Sequence, residues 1–256
     1  MKINFNKILF ILPFFAIING NNFSKGLDHY HSRAEGSVGL KAKVEPINSA
    51  IKEFEKGMLS PINVLESGVY LLKSYYYKGQ FTLQDKDEKK ITFNKGKILG
   101  ESLIKKYPKS AAIRYWYLVN LGRWSQVYGT LAAAREGVAD LMRIHSQKII
   151  DLDPEYADGG GYFMLGAIHL KSPYIPFILS WPSNKEAIKY LKLALNKGEK
   201  TPSQIVYIAR ALYKGGKKDK AIQHLKNIIS MPISELNKVE DLQYKIEAES
   251  LLADWG

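Results

Sequence analysis

The sequence contains no cysteine among its 256 residues. Such a chain closes no disulfide, presents no thiolate to a metal or substrate, and cannot carry a lipid on an N-terminal cysteine. Its stability must come from packing. Long apolar runs are also missing, since none reaches the roughly 20 residues a membrane-spanning helix requires. Alternating β-type patterns are nearly absent. Acidic residues are in deficit, with 25 Asp and Glu against 37 Lys and Arg, for a net charge of +12. The excess lysines are spread out, at Lys86, Lys89, Lys90, Lys197, Lys200 and between Lys214 and Lys220, as expected of solvated helix faces and turns.

What is present begins with a leader-like segment. Lys2 and Lys7 precede the apolar, uncharged stretch Ile8 to Ile18, which contains Pro13. This is the length and polarity of a secretory signal, so residues 1–20 are expected to direct export. Gly20 suits the last position before cleavage, whereas Ile18 is large for its place; a retained leader is the alternative. Without a cysteine anchor the expected location is periplasmic and the protein is not a lipoprotein. Export also argues against a nucleic-acid partner. Residues 21–46 are rich in Gly, Lys and Ser between Ser24 and Pro46 and show no period, so a flexible lead-in is expected there.

From residue 47 to residue 256 apolar residues recur at three- and four-residue spacing, which makes the fold class all-α. Helix pairs are expected at Val64–Lys78 with Ile91–Tyr107, Ala111–Tyr128 with Leu131–Leu152, Tyr156–Leu170 with Lys185–Asn196, and Pro202–Lys214 with Lys218–Ile229. A final helix follows from about Ser234 to Asp254. In the fourth pair Ala209 lies in the first helix, Leu212-Tyr213 follow, Gly216 makes the turn and Ala221 opens the second helix. Gly166 and Gly122 hold the corresponding contact positions in earlier pairs. Antiparallel helices approach to about 8–10 Å where small side chains sit at the crossing. The pattern resembles the tetratricopeptide repeat. It implies about four antiparallel pairs plus a C-terminal helix, stacked in a superhelix or compact bundle, because each pair buries its apolar face only against its neighbours.

A narrower resemblance rests on residues 132–194. The run Arg135-Glu136-Gly137-Val138-Ala139-Asp140-Leu141 precedes Ile150-Asp151-Leu152-Asp153-Pro154-Glu155-Tyr156, then Gly159-Gly160, Leu165-Gly166, His169, Pro173 and Ala187. This resembles the T component of tripartite ATP-independent periplasmic (TRAP) transporters. The resemblance implies an exported helical protein associated with a periplasmic solute-binding protein, self-association, and a groove for a mostly apolar solute. The absence of cysteine and the aromatic segment Ser172–Asn184 depart from that family's pattern.

The inner face of a repeat superhelix is built by the first helix of each pair. That register selects Trp116, Val119, Arg123 and Gln126, then Phe163, Ala167 and Leu170, then Val206, Arg210 and Tyr213. Aromatics would take the tail of an amphipathic acid, and Arg123 or Arg210 its carboxylate. Packed core is the alternative for Trp116 and Phe163. Tyr174, Phe177 and Trp181 mark a proline-bounded apolar insertion expected to pack on adjacent helices, cap the groove or meet a second subunit.

No catalytic constellation appears. His29 and His31 are too few for a metal site, and His145, His169 and His224 are isolated. Gly159-Gly160-Gly161 lacks the lysine and hydroxyl of a phosphate loop. No serine elbow is present, so neither enzyme activity nor a cofactor is expected. The sequence-level conclusion is an exported, non-catalytic accessory of solute transport. It would bind a small amphipathic ligand, a periplasmic solute-binding protein or other envelope protein, or a second copy of itself. A tetratricopeptide scaffold for envelope protein assembly, with no small ligand, is the alternative.

Overall fold

A computed structural model describes residues 12–256 apart from Ile178, with side chains from Asn22 onward. Among the described residues the architecture is all-helical, with only two isolated β-bridges, Val38–Lys41 and Ile175–Leu179. The helices are α1 (Leu12–His31), α2 (Val44–Gly57), α3 (Val64–Tyr77), α4 (Lys86–Lys106), α5 (Ala111–Tyr128) and α6 (Thr130–Arg135). They continue with α7 (Val138–Leu152), α8 (Tyr156–Lys171), α9 (Asn184–Ala194), α10 (Pro202–Lys214), α11 (Lys218–Ser230) and α12 (Lys238–Trp255). None is long and apolar enough to cross a membrane.

Local chemistry starts several of these helices where the sequence demands it. Asp85 accepts from the backbone N–H groups of Asp87 and Glu88, Ser110 from Ile113, and Ser183 from Glu186. Thr201 and Gln204 form a reciprocal capping box with Pro202 in the first turn of α10. Each such oxygen satisfies a donor that has no partner inside the helix, a contribution of about 1 kcal/mol.

Consecutive helices pack as antiparallel pairs, α3 with α4, α5 with α7, α8 with α9 and α10 with α11, and α12 closes the stack. The first helices of successive pairs also touch, α3 with α5, α5 with α8, α8 with α10 and α10 with α12. One wall of the superhelix is therefore made by α3, α5, α8, α10 and α12. The crossing of α8 and α9 is as close as the sequence suggested. A Cβ on Gly166 would lie 2.5 Å from Leu191 Cγ and 3.0 Å from the Leu191 backbone nitrogen. Ala209 is fully buried between its neighbours. Gly122 differs, because a Cβ there would meet nothing nearer than Met142 Cε at 3.8 Å. It stands in a cavity wall and not at a tight crossing.

Three expectations change. Residues 21–46 are not a flexible lead-in: α1 runs to His31, a single 3₁₀ turn spans Ser32–Ala34, and Tyr30, Arg33 and Ala42 are buried. The reason is tertiary. Tyr30 packs edge-on against Tyr70 of α3, and the Ala42 N–H donates to the Phe81 carbonyl at 2.9 Å. With α2, α1 forms a further pair ahead of the expected four. The leader expected at residues 1–20 lies largely outside the described residues, and from Leu12 the backbone is helical through Gly20. The single helix expected over Leu131–Leu152 is broken at Gly137, whose φ of +61° is left-handed, so α6 and α7 are separate.

The stack closes on itself. Arg33 donates through Nε and Nη2 to Glu240 Oε1 at 3.2 and 2.9 Å, and through Nη2 to Asn237 Oδ1 at 3.1 Å and to the Leu236 carbonyl. Gln80 Nε2 donates to Gln243 Oε1 at 3.0 Å. The first and last elements of the chain thus meet, and the superhelix forms a ring around a central cavity.

Candidate functional site

The cavity has a volume of about 480 Å³, within the range of small-molecule sites. Its walls come from α1, α3, α5, α8, α10 and α12, with Arg33, Met142 of α7 and the Leu236–Asn237 segment that leads into α12. Side-chain spacing on α5 explains one wall. Trp116, Val119, Arg123 and Gln126 fall on one helical stripe, and all four line the cavity. Phe163 and Ala167 of α8 face it as expected, and Phe163 packs edge-on against Tyr207 at 5.1 Å between ring centroids.

On α3 the stripe Tyr70, Lys73 and Tyr76 supplies the opposite wall. The Lys73 ammonium lies 4.4 Å from the centre of the Tyr70 ring and 5.3 Å from that of Trp116. The Arg123 guanidinium lies 5.6 Å from the Tyr76 ring centre and donates to Gln126 Oε1 at 3.0 Å. Lys171, at the end of α8, stands 5.2 Å from the Tyr207 ring centre. Cations over aromatic faces are stabilised by the ring quadrupole.

The charges of the cavity do not balance locally. Among the described residues no carboxylate oxygen lies within 4.0 Å of Lys73, Arg123 or Lys171. Of the two carboxylates in the wall, Glu240 holds Arg33 through Oε1 while its buried Oε2 accepts no hydrogen bond among the described residues, and Asp241 Oδ2 accepts the Ser234 N–H at 3.0 Å. Burial, with the Arg33 charge adding to it, lowers the Lys73 pKa to about 8. Burial also works against the Arg123 charge, yet the hydroxyls of Tyr76, Tyr244 and Tyr207 around it more than offset this, and its proton is held more tightly than in water. At neutral pH the site therefore presents positive charge among aromatic rings.

A second chamber of about 370 Å³ adjoins the first. Ser125, Gln126, Met142, Ile168 and Lys171 line both. Its walls are mainly small or apolar, with Ala133, Val138 and Ala139 on one side and Pro173, Ile175 and Leu179 of the insertion on the other. Ile175 and Leu179 exchange two backbone hydrogen bonds, of 2.9 and 2.8 Å, which make the insertion a short hairpin.

The remaining sequence-selected residues sit elsewhere. Trp181 anchors the hairpin: its Nε1–H donates to Asp140 Oδ1 at 3.0 Å, Arg143 covers its face at 4.5 Å, and His169 meets it edge-on. Tyr174 is exposed and Phe177, at the hairpin tip with φ of +64°, fully so. Arg210 and Tyr213 do not line the cavity. Arg210 pairs with Glu247 at 2.8 Å and Tyr213 stacks on Trp255 at 3.9 Å, so both fasten α10 to α12. The register inferred for α10 was displaced, and Ser203 and Tyr207 face the cavity instead. α10 is buried on several sides at Val206, Ile208, Ala209 and Ala211, so its apolar pattern does not single out an inner face. Reasoning from sequence missed Tyr30, Arg33 and Lys73. Only Lys73 carried a local signal, its helical spacing between Tyr70 and Tyr76.

Comparison with solved structures finds a thermophilic TPR protein of Thermus thermophilus. It superposes with a TM-score of 0.61 over 93% of this chain and 98% of that one, at 14% sequence identity. The fold is tetratricopeptide-like. At that identity the likeness concerns the architecture alone, and the cavity chemistry is read from this chain's own residues. No protein-family model matches the sequence, and no curated protein matches it. Among the described residues no group of three or more His, Asp or Glu side chains is arranged to hold a metal ion.

Proposed function

We propose that this protein is a non-catalytic binding protein whose central cavity holds a small amphipathic anion. We further propose that it acts as an exported accessory of solute transport alongside a periplasmic solute-binding protein. One observation carries the first part: Lys73 and Arg123 are partly buried against an aromatic cavity with no carboxylate of the described residues within 4.0 Å, and the exposed Lys171 stands at its edge. A desolvated cation without a counter-ion is costly, and an anionic ligand removes that cost. The rings of Trp116, Phe163, Tyr76 and Tyr207 supply apolar area beside the charge. Lys2, Lys7 and the stretch Ile8 to Ile18 support export, and the pattern across residues 132–194 supports the transport setting.

The test is native mass spectrometry of protein purified from cells without organic solvent. A co-purifying acidic adduct is expected, released on unfolding and reduced in Arg123→Gln. Repeated absence of an adduct, together with no saturable binding of octanoate, contradicts the reading.

A second reading, a scaffold for envelope protein assembly with no small ligand, is favoured by the fully exposed Phe177 and the exposed Tyr174 on the hairpin. Under it, Phe177→Ser abolishes recovery of a protein partner and Arg123→Gln leaves that recovery intact.

A further inference from the structure

The second chamber raises a question that the first does not answer. A tetratricopeptide-like pair needs only a tight turn between its helices, yet between α8 and α9 this chain inserts a hairpin over space left open by short side chains. Gly129, Ala133, Gly137 and Ala139 all line that space. Such short side chains leave room there for an apolar group to be buried, which is favourable in proportion to the apolar area it removes from water. The chamber's one carboxylate near the hairpin, Asp140, is engaged by Trp181 Nε1 at 3.0 Å and Arg143 Nη2 at 3.1 Å. Val138, Ile175, Leu179 and the alanines suit the chamber to hydrocarbon, while Ser125, Gln126, Thr130 and Lys171 give it a polar border.

Geometry links this apolar space to the cationic one. The α5 stripe that carries Trp116 and Arg123 reaches Gln126 one turn later, and Gln126 belongs to both chambers. Met142 and Ile168 lie where the two chambers meet, bordering both with apolar side chains, and Lys171 borders both as well. The hairpin over the far end is held in place through Trp181, not through its exposed tip.

We propose that the ligand is an unbranched aliphatic carboxylate long enough to occupy both chambers. Its carboxylate lies between Arg123 and Lys73, and its chain passes Met142 and Ile168 to end beneath Ile175 and Leu179. This rests on the reading of the first cavity as an anion site and adds the identity of the tail. The hairpin then acts as a gauge of chain length. Each buried methylene is worth about 0.8 kcal/mol, or roughly fourfold in affinity.

Calorimetric titration of the full chain with butanoate, octanoate and dodecanoate tests it, with dodecanol as the uncharged control. The expected result is an affinity that rises at least about tenfold from octanoate to dodecanoate, with dodecanol weaker than dodecanoate. Ala139→Leu, which fills the chamber from α7, is expected to remove the gain for dodecanoate and leave butanoate unchanged. Leu179→Ser, on the opposite wall, gives the same loss by another route and guards against a folding defect in the first variant. Equal affinity for octanoate and dodecanoate, or no effect of either substitution, overturns the two-chamber proposal and leaves the anion site standing. Failure of every acid to bind overturns both.

Discussion

Replacing Arg33 with methionine opens the ring at its one strongly polar seam. The Arg33 guanidinium is almost wholly buried and donates to Glu240, Asn237, the Tyr30 carbonyl at 3.1 Å and the Leu236 carbonyl. It also lies 4.3 Å from the centre of the Tyr30 ring. Methionine keeps much of the side-chain volume and none of the donors. The Glu240 side chain, only 17% exposed, is then left as an uncompensated carboxylate. Breaking such a buried pair from one side costs about 3–5 kcal/mol, a large share of the roughly 5–15 kcal/mol that stabilises a typical domain. Removing the stranded charge as well, in Arg33→Met with Glu240→Leu, should restore about 1–3 kcal/mol. Urea unfolding at neutral pH, followed by far-ultraviolet circular dichroism on both single variants and the double, measures this coupling. A loss below about 1 kcal/mol for Arg33→Met refutes the reasoning, as does a double variant whose loss equals the sum of the singles.

Three further outcomes follow from individual contacts. Gly166→Ala forces a methyl group against Leu191 and its backbone, and is expected to cost about 1–3 kcal/mol. Gly122→Ala, with nothing nearer than 3.8 Å, should instead be neutral or stabilise by up to about 1 kcal/mol in the same unfolding assay. His145 accepts from Arg114 Nη1 at 2.7 Å, and burial with that neighbouring charge lowers its pKa to about 4. The unfolded chain binds this proton first, so stability should fall as pH drops from about 6.5 toward 4, by an amount that solvent screening of the half-exposed ring reduces, and His145→Leu should flatten that segment of the profile. The lowered Lys73 pKa means that the empty protein loses this charge as pH rises through about 8. Octanoate affinity should therefore be highest below pH 8 and decline above it, and Lys73→Met should weaken binding at neutral pH and abolish the decline.

Much of the helical scaffold was legible in the sequence because its signals are local. Ser110, Ser183 and Thr201 start helices by accepting from the backbone three residues on, and the α5 stripe from Trp116 to Gln126 follows from helical periodicity alone. Gly166 could be recognised by its place in the repeat pattern. The parts that escaped depend on partners remote in the chain. Nothing around Arg33 announces a carboxylate 207 positions away, and a Gly-, Lys- and Ser-rich segment reads as a linker until Tyr30 and Arg33 are seen buried beneath α3 and α12. α10 shows a different limit. Its periodicity marks a buried face but not which neighbouring helix each flank meets, so the spacing that points Arg210 and Tyr213 inward gives no sign that α12 holds both. The insertion was recognisable as apolar, but only its fold separates Ile175 and Leu179, which line a chamber, from Phe177, which does not.

The most direct measurement is a crystal structure of the protein soaked with dodecanoate brominated at its terminal carbon, with the bromine located by anomalous scattering. The account predicts a carboxylate against Arg123 and Lys73, and a bromine beneath Ile175 and Leu179. A bromine in the aromatic cavity with the second chamber empty, or a ligand bound only on the outer surface, contradicts it.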